Sequence, residues 1–253
     1  MTRWWIVGII LGVLLLMASG VYWLNNPQVE VVENLPVSEN LVREAFVPVW
    51  KLGDNWTLKF TYPQENYRTL IFYNLVVGEN LIENRWCYEV KVWSENQVDL
   101  TWNYYSKENL SLVGSRVRYA TPRSFENTWT VVESLNISRG GSDYDFPLAV
   151  GKSWSYSIEV KTFLYLENGE NRESKWVKVP TQYSSQVENV ENVQVAAGVF
   201  ESYLIRTEIT TSSGTILKLS WFSEEVGWLV KEERFIGENK ILEVELLDFS
   251  HSK

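Results

Sequence analysis

Apolar side chains recur at every second residue in segment after segment of this chain, and that period dictates β structure. Trp56, Leu58, Phe60 and Tyr62 share one face of one such segment. Trp86, Tyr88, Val90 and Val92 do so in another, as do Val98, Leu100, Trp102 and Tyr104. Later come Trp154, Tyr156, Ile158 and Val160, then Tyr203, Ile205, Thr207 and Ile209, then Leu217, Leu219 and Trp221. Beyond Phe46 no stretch of ten or more residues carries a convincing helical period, although Ser38 is placed to cap one short helix through Phe46. Alternation of this kind predicts antiparallel sheet with one face buried and one face wet. The thirteen Trp and thirteen Tyr agree, since flat aromatic side chains pack well on a pleated surface.

One pattern is written twice. Phe46-Val-Pro-Val-Trp-Lys-Leu-Gly53 leads to Trp56, and Phe146-Pro-Leu-Ala-Val-Gly151 leads to Trp154. In each, a proline-marked apolar run reaches a glycine, and a tryptophan three residues later opens an alternation. The far ends echo each other too: Tyr104-Tyr-Ser-Lys-Glu-Asn-Leu-Ser-Leu-Val113 resembles Trp221-Phe-Ser-Glu-Glu-Val-Gly-Trp-Leu-Val230. Internal similarity sets the unit of a fold. The expected layout is therefore a β repeat over 46–139 and a second over 140–253, joined at Gly140-Gly141-Ser142-Asp143. Turn chemistry places hairpins at Asn168-Gly169, Ser213-Gly214 and Gly237-Glu238-Asn239. Gly198 and Gly227 sit where a tight turn calls for positive φ.

Trp4 to Leu24 is 21 residues without a charge, preceded by Arg3. At about 1.5 Å per residue it spans the roughly 30 Å hydrocarbon core of a bilayer. Trp4, Trp5, Tyr22 and Trp23 form aromatic belts at its ends, and Arg3 orients the amino end to the cytoplasm. The competing reading is a cleaved signal peptide with its small-residue site at Ala18-Ser19-Gly20. Residues 1–24 are thus anchor or signal, and 25–45, with Pro27 and Pro36, are a juxtamembrane spacer. Both readings put the remainder outside the cytoplasm, as a single-pass membrane protein or, after cleavage, a secreted one. Sequons stand at Asn55, Asn109 and Asn136.

The residue inventory removes several chemistries. A net charge of −9 without a basic patch argues against nucleic acid. His251 is the only histidine and Cys87 the only cysteine, too few for a His-dependent triad or a zinc site. Cys87 falls between Trp86 and Tyr88, on the other face of its strand, where an inert thiol is expected. The densest carboxylates, Glu224-Glu225 and Glu232-Glu233, read as solvated turn and edge charges, because adjacent strand residues point oppositely. Asp143-Tyr-Asp145 is too sparse for a calcium loop. No catalytic, cofactor-binding or metal-binding residue is assigned, no cofactor is expected, and the chain reads as a non-enzyme. The aromatics are the remaining signal. Trp93, Tyr105 and Phe222 lie opposite their strands' main apolar rows, as a partner surface or as a second core layer made with the other repeat. Trp129, Trp176 and Trp228 fit either face.

Phe146-Pro147-Leu148 with Gly151-Lys-Ser-Trp154, then Val195-Ala-Ala-Gly-Val-Phe200, then Trp221-Phe-Ser-Glu-Glu-Val-Gly-Trp228 resembles a known grouping. It is similar to exported bacterial and archaeal proteins of unknown function placed with the lipoprotein-carrier (LolA/LppX-like) half-barrels. The resemblance covers about Phe146 to Phe249, with a fainter echo from Phe46. It implies a curved antiparallel sheet, half open, whose better-known relatives hold lipid or acyl chains. Those relatives close the concave face with helices, and this chain has none long enough.

The expectation is an all-β protein of curved antiparallel half-barrel sheets, duplicated and preceded by one N-terminal transmembrane helix. Its expected partners are the membrane through Trp4 to Leu24, and a lipid or acyl ligand or an envelope protein. A structural envelope component contacting proteins or glycans through aromatics is the alternative, and a carboxylate-based glycosidase the least favoured. A pocket of about 300 Å³ or more separates ligand carriage from a closed core.

Overall fold

A computed structural model describes residues 43–95, 98–125 and 129–252. The Trp4 to Leu24 span, the Ser38 cap and most of the spacer lie outside the described residues. Thirteen strands run β1 (Asn55–Tyr62), β2 (Arg68–Ile82), β3 (Arg85–Trp93), β4 (Leu100–Ser106), β5 (Leu112–Phe125), β6 (Trp129–Arg139), β7 (Ser153–Leu166), β8 (Asn171–Glu173), β9 (Val177–Val195), β10 (Gly198–Thr211), β11 (Gly214–Ser223), β12 (Trp228–Ile236) and β13 (Asn239–Ser250). The hairpins expected at Gly169, Gly214 and Gly237 are present, each glycine at positive φ.

The all-β expectation stands, but the open half-barrel does not. All pairings are antiparallel, β1 to β6 form one run and β7 and β9 to β13 another, and two seams join the runs into a ring. Asn55 to Thr61 of β1 pairs with Ser250 to Glu243 of β13, and Val131 to Arg139 of β6 pairs with Leu166 to Glu159 of β7. The result is a closed barrel of twelve strands, with short β8 appended to the edge of β7. The physical reason is the edge problem. A half-open sheet leaves rows of unpaired N–H and C=O groups on its first and last strands, and here each half's edges satisfy the other's. No helix among the described residues is long and apolar enough to cross a membrane, which says nothing of residues 1–42.

One closed barrel replaces the duplicated half-barrel repeats expected over 46–139 and 140–253, and what the two stretches share is turn geometry. Asp54 N donates to Lys51 O, Gly53 N to Val76 O, and Val76 N back to Asp54 O. In the second half, Lys152 N donates to Ala149 O, Gly151 N to Val187 O, and Val187 N back to Lys152 O. Gly53 and Gly151 hold φ of 95° and 87° there, values that favour glycine. The later turns agree as well: Leu110 N donates to Ser106 O, and Gly227 N to Ser223 O.

The lead-in segment 43–54 and the linker 140–152 lie at one end of the barrel, bridged by Ala45 and Leu148. They plug that end. Trp50 enters the lumen, donates from Nε1 to Gly227 O at 2.9 Å, and packs against Trp56, Tyr88, Tyr105 and Trp228. Tyr144 and Phe146 from the linker pack on Phe222 beside them.

Most alternating rows face the lumen as their pattern requires: Trp56 and Leu58, Tyr88 and Val90, Tyr203, Ile205 and Ile209 are buried. Two rows are reversed. Tyr105 pairs with Tyr88, so Tyr105 and Asn103 face inward and Trp102 faces out beneath Arg116 and Arg118. On β11 the inward row is Ile216, Lys218, Ser220 and, past a bulge, Phe222. Leu219 and Trp221 face out and are covered by the β9–β10 hairpin, which leans across to β13 through Ala197 N and Leu246 O. An arm of sheet folded over the outer wall makes an outer row apolar, so alternation alone selects the wrong face. The Asn136 sequon is buried, its Oδ1 accepting from Thr162 Oγ1 at 2.7 Å.

Candidate functional site

The interior of β11 and β12 carries charges where a barrel core is ordinarily apolar. Lys218 is buried, and its Nζ lies 2.9 Å from Asp143 Oδ1 on the linker. Tyr156 Oη donates to the same oxygen at 2.6 Å. Tyr156 itself stacks on Tyr183 of β9, ring planes 1° apart and centroids at 4.4 Å. Next along the wall, Arg234 forms a 2.6 Å ion pair with Glu232, and Ser220 Oγ donates to Glu232 at 3.3 Å. Ser185 and Thr207 hydroxyls meet at 2.9 Å. Buried charges are tolerated because each has a partner of opposite sign and further hydrogen bonds.

These groups shape each other's ionisation. Burial pushes the Asp143 carboxyl upward, but the Lys218 charge and the bonds from Tyr156 and Lys218 outweigh it, so the carboxyl stays below its ordinary range. Tyr144 and Tyr156 are raised well above 10, first by burial and then by the Asp143 charge. Tyr105 and Tyr183 are pushed up to about 12, again chiefly by burial.

A cavity of about 160 Å³ opens beside this network, lined by Tyr105, Tyr144, Asp143, Lys218, Glu232 and Trp228 among others. That is below the roughly 300 Å³ at which small-molecule pockets begin, and its wall is charged. It has room for water or a very small polar molecule, and none for an acyl chain.

The carboxylates singled out in the sequence are not brought together. Glu233 faces outward between Lys231 and Lys240, which with their hydrogen bonds override the upward push of partial burial and lower its carboxyl. Glu232 faces inward and is buried, contrary to the solvated reading. Glu224 and Glu225 are exposed on the β11–β12 turn. Cys87 is fully buried on the outer face of β3 with Tyr104 and Val113, its thiol pushed up to about 11 by burial. His251 is exposed and contacts Glu225 O. No group of three or more metal-ligating side chains occurs among the described residues.

The outer wall of the first half bears a row of aromatic rings under cations. Arg116 lies 4.7 Å above Trp102 with Arg118 at 5.7 Å, and Lys91 lies 5.4 Å from the centre of the Trp93 ring. Beside them Tyr73 stacks on Trp93 at 5.4 Å. Arg118 is exposed and the rings below and beside it are half-buried, and arginine with aromatic residues is the composition enriched at protein-binding surfaces. Periodicity could not assign this wall, because the Trp102 row alternates as regularly as a core row does.

Fold and site define a closed antiparallel β-barrel with a plugged, charged lumen. Residues 159–247 match the model of the DUF3108-like family, a segment running from β7 to β13. Among solved structures the chain is similar to a Bacteroides fragilis protein with a YmcC-like fold, assigned as exported. Identity is 12%, the TM-score 0.41, and the alignment covers 81% of this chain and 99% of that one. It is also similar to a Parabacteroides distasonis protein assigned as a lipoprotein, at 10% identity and a TM-score of 0.39, over 81% of this chain and 99% of the other. No curated protein matches the chain. The expected relation to lipoprotein carriers finds no counterpart in these matches.

Proposed function

We propose that this chain is a membrane-tethered, extracytoplasmic barrel that performs no chemistry and binds a protein partner of the cell envelope on its outer wall. The observation that carries the reading is a division of labour between the two faces of the sheet. The inside carries plug residues and paired charges, and the cavity beside them holds about 160 Å³. The outside carries Trp102, Trp93 and Tyr73 with Arg116, Arg118 and Lys91. A ligand carrier needs the reverse arrangement.

Photo-crosslinking tests it. A crosslinking side chain in place of Arg118, which is 60% exposed, should yield one discrete adduct in intact envelopes. Trp102→Ala with Arg116→Ala should abolish that adduct while the barrel stays folded. Stoichiometric lipid in mass spectra of the purified protein, with no adduct at Arg118, would overturn the proposal and restore ligand carriage.

A further inference from the structure

The large apolar side chains that this barrel leaves in water gather at one end. Phe46, Val49 and Leu52 of the lead-in segment are 64, 79 and 69% exposed, and Val150 of the linker is 56% exposed. Ala45 and Leu148 pair directly, so these two stretches form one surface. Leu81 and Trp86, opposite each other in β2 and β3, add 51 and 60% exposure beside the hairpin at the same end. Nothing in the packing demands this. Trp50, in the same segment, is buried, and Phe46, Val49 and Leu52 project away from it. Away from this end the exposed Tyr67, Val98 and Val177 stand on separate segments. Apolar side chains gathered on one surface mark an interaction site, whereas scattered ones do not.

We infer that the plugged end seats on the surface of the bilayer, its apolar rim dipping into the headgroup region. The chain's own layout names this occupant. Described structure begins at Arg43 on the plugged end, and the uncharged run ends at Leu24. The intervening residues 25–42 can reach at most about 3.6 Å each, so this end stays within some 65 Å of the membrane while the opposite end lies a barrel length further off. Such a tether raises the effective concentration of the rim at the bilayer to about the millimolar range, which makes weak apolar contacts sufficient. Trp86 among aliphatic neighbours suits the interface, where indole rings concentrate. Charges of both signs stand at this end, Arg43, Lys51 and Lys152 with Glu44, Glu83, Glu108, Asp145, Glu224 and Glu225, and a bilayer of phosphatidylcholine has no net charge, so the contact with it is apolar and insensitive to salt.

The inference rests on the tethered reading above, and one preparation tests both. The full chain is reconstituted into phosphatidylcholine vesicles that contain a nitroxide-labelled lipid. Single fluorophores are attached at Val49→Cys, Val150→Cys or Tyr67→Cys. Native Cys87 is buried and its thiol raised, so it stays unlabelled. Flotation reads the tether, and quenching by the nitroxide reads the docking. Labels at 49 and 150 should be quenched several-fold more than the label at 67, unchanged by 0.5 M salt, on the order of a ~4 Å Debye length. Phe46→Ser with Leu52→Ser should lower the quenching at 150 without releasing the protein from vesicles. Protein that floats while all three labels are quenched equally overturns the docking and spares the tether. Protein that fails to float overturns both.

Discussion

Lys218 Nζ and Asp143 Oδ1 meet at 2.9 Å inside the barrel, tying the wall of the second half to the linker between halves. The pair holds the plug from within, and its two members sit in unlike surroundings. Lys218 is almost wholly enclosed, whereas 44% of the Asp143 side chain faces the hollow. Losing either partner leaves an uncompensated charge, but water in the cavity relieves only the lysine's absence. Asp143→Asn, which leaves an enclosed ammonium, should cost about 3–5 kcal/mol, and Lys218→Met roughly half that. The double variant should be more stable than Asp143→Asn alone. Denaturant unfolding of all three measures the order.

Acid and alkali should unfold the barrel for opposite reasons. Asp143, Glu233 and Glu245 have carboxyls lowered in the folded state. Their contribution is present above the unfolded value near 4 and is lost as pH falls below it. Tyr104, Tyr105 and Tyr183 are raised to about 12, so their contribution is full below about pH 10 and is lost as pH rises through 12. Absorbance at about 295 nm, where tyrosinate absorbs, should show a late, steep step coinciding with loss of the tryptophan signal. A gradual titration centred near 10 would show that these phenols are not enclosed.

Trp50 and Trp86 should behave oppositely on truncation. Trp50 is buried against four aromatic rings and bonded to Gly227 O. Trp50→Ala should cost about 3–5 kcal/mol. Trp86 is 60% exposed, so Trp86→Ala should stay within about 0.5 kcal/mol while lowering the quenching of a label at Val150→Cys in the full chain on vesicles.

The division at 140 makes a prediction about assembly. Residues 46–139 hold β1 to β6 and residues 140–253 hold β7 to β13, each a meander with two unpaired edges when alone. Expressed separately, each half should aggregate or self-pair; expressed together, they should form one barrel of native tryptophan fluorescence. Two halves that are each soluble and monomeric would show that the seams are dispensable.

Alternation made most of the wall legible in the sequence. Trp56 and Leu58, Tyr88 and Val90, and Tyr203 and Ile205 point inward because a period of two leaves a strand only two choices. It failed on β4 and β11, where the outer row, Leu100, Trp102 and Tyr104 or Leu217, Leu219 and Trp221, is more apolar than the inner one. Trp221 reads as core and is covered, but by the β9–β10 arm outside the barrel, with Glu191 accepting from its indole at 2.6 Å. With the wrong row chosen, Lys218 and Ser220 read as solvent-facing, and the charged lumen could not be seen. Closure was hidden for a different reason. Pairing β1 to β13 joins residues nearly two hundred positions apart, and no local period reports on that.

That same seam has a consequence for how the protein is made. Strand β1 is synthesised first and β13 last, yet each is the other's hydrogen-bonding partner along Asn55 to Thr61. Until Ser250 has emerged, β1 can pair only with β2, and its outer edge stays open in a crowded compartment. The chain has one thiol, so no disulfide within it can hold that edge meanwhile. Ring closure must therefore follow release of the complete chain and be slow, since so long a loop is closed by it. A stop codon before Asn239 would remove the whole of β13, leaving β1 with an open edge that exposes the Trp56 row to neighbouring chains.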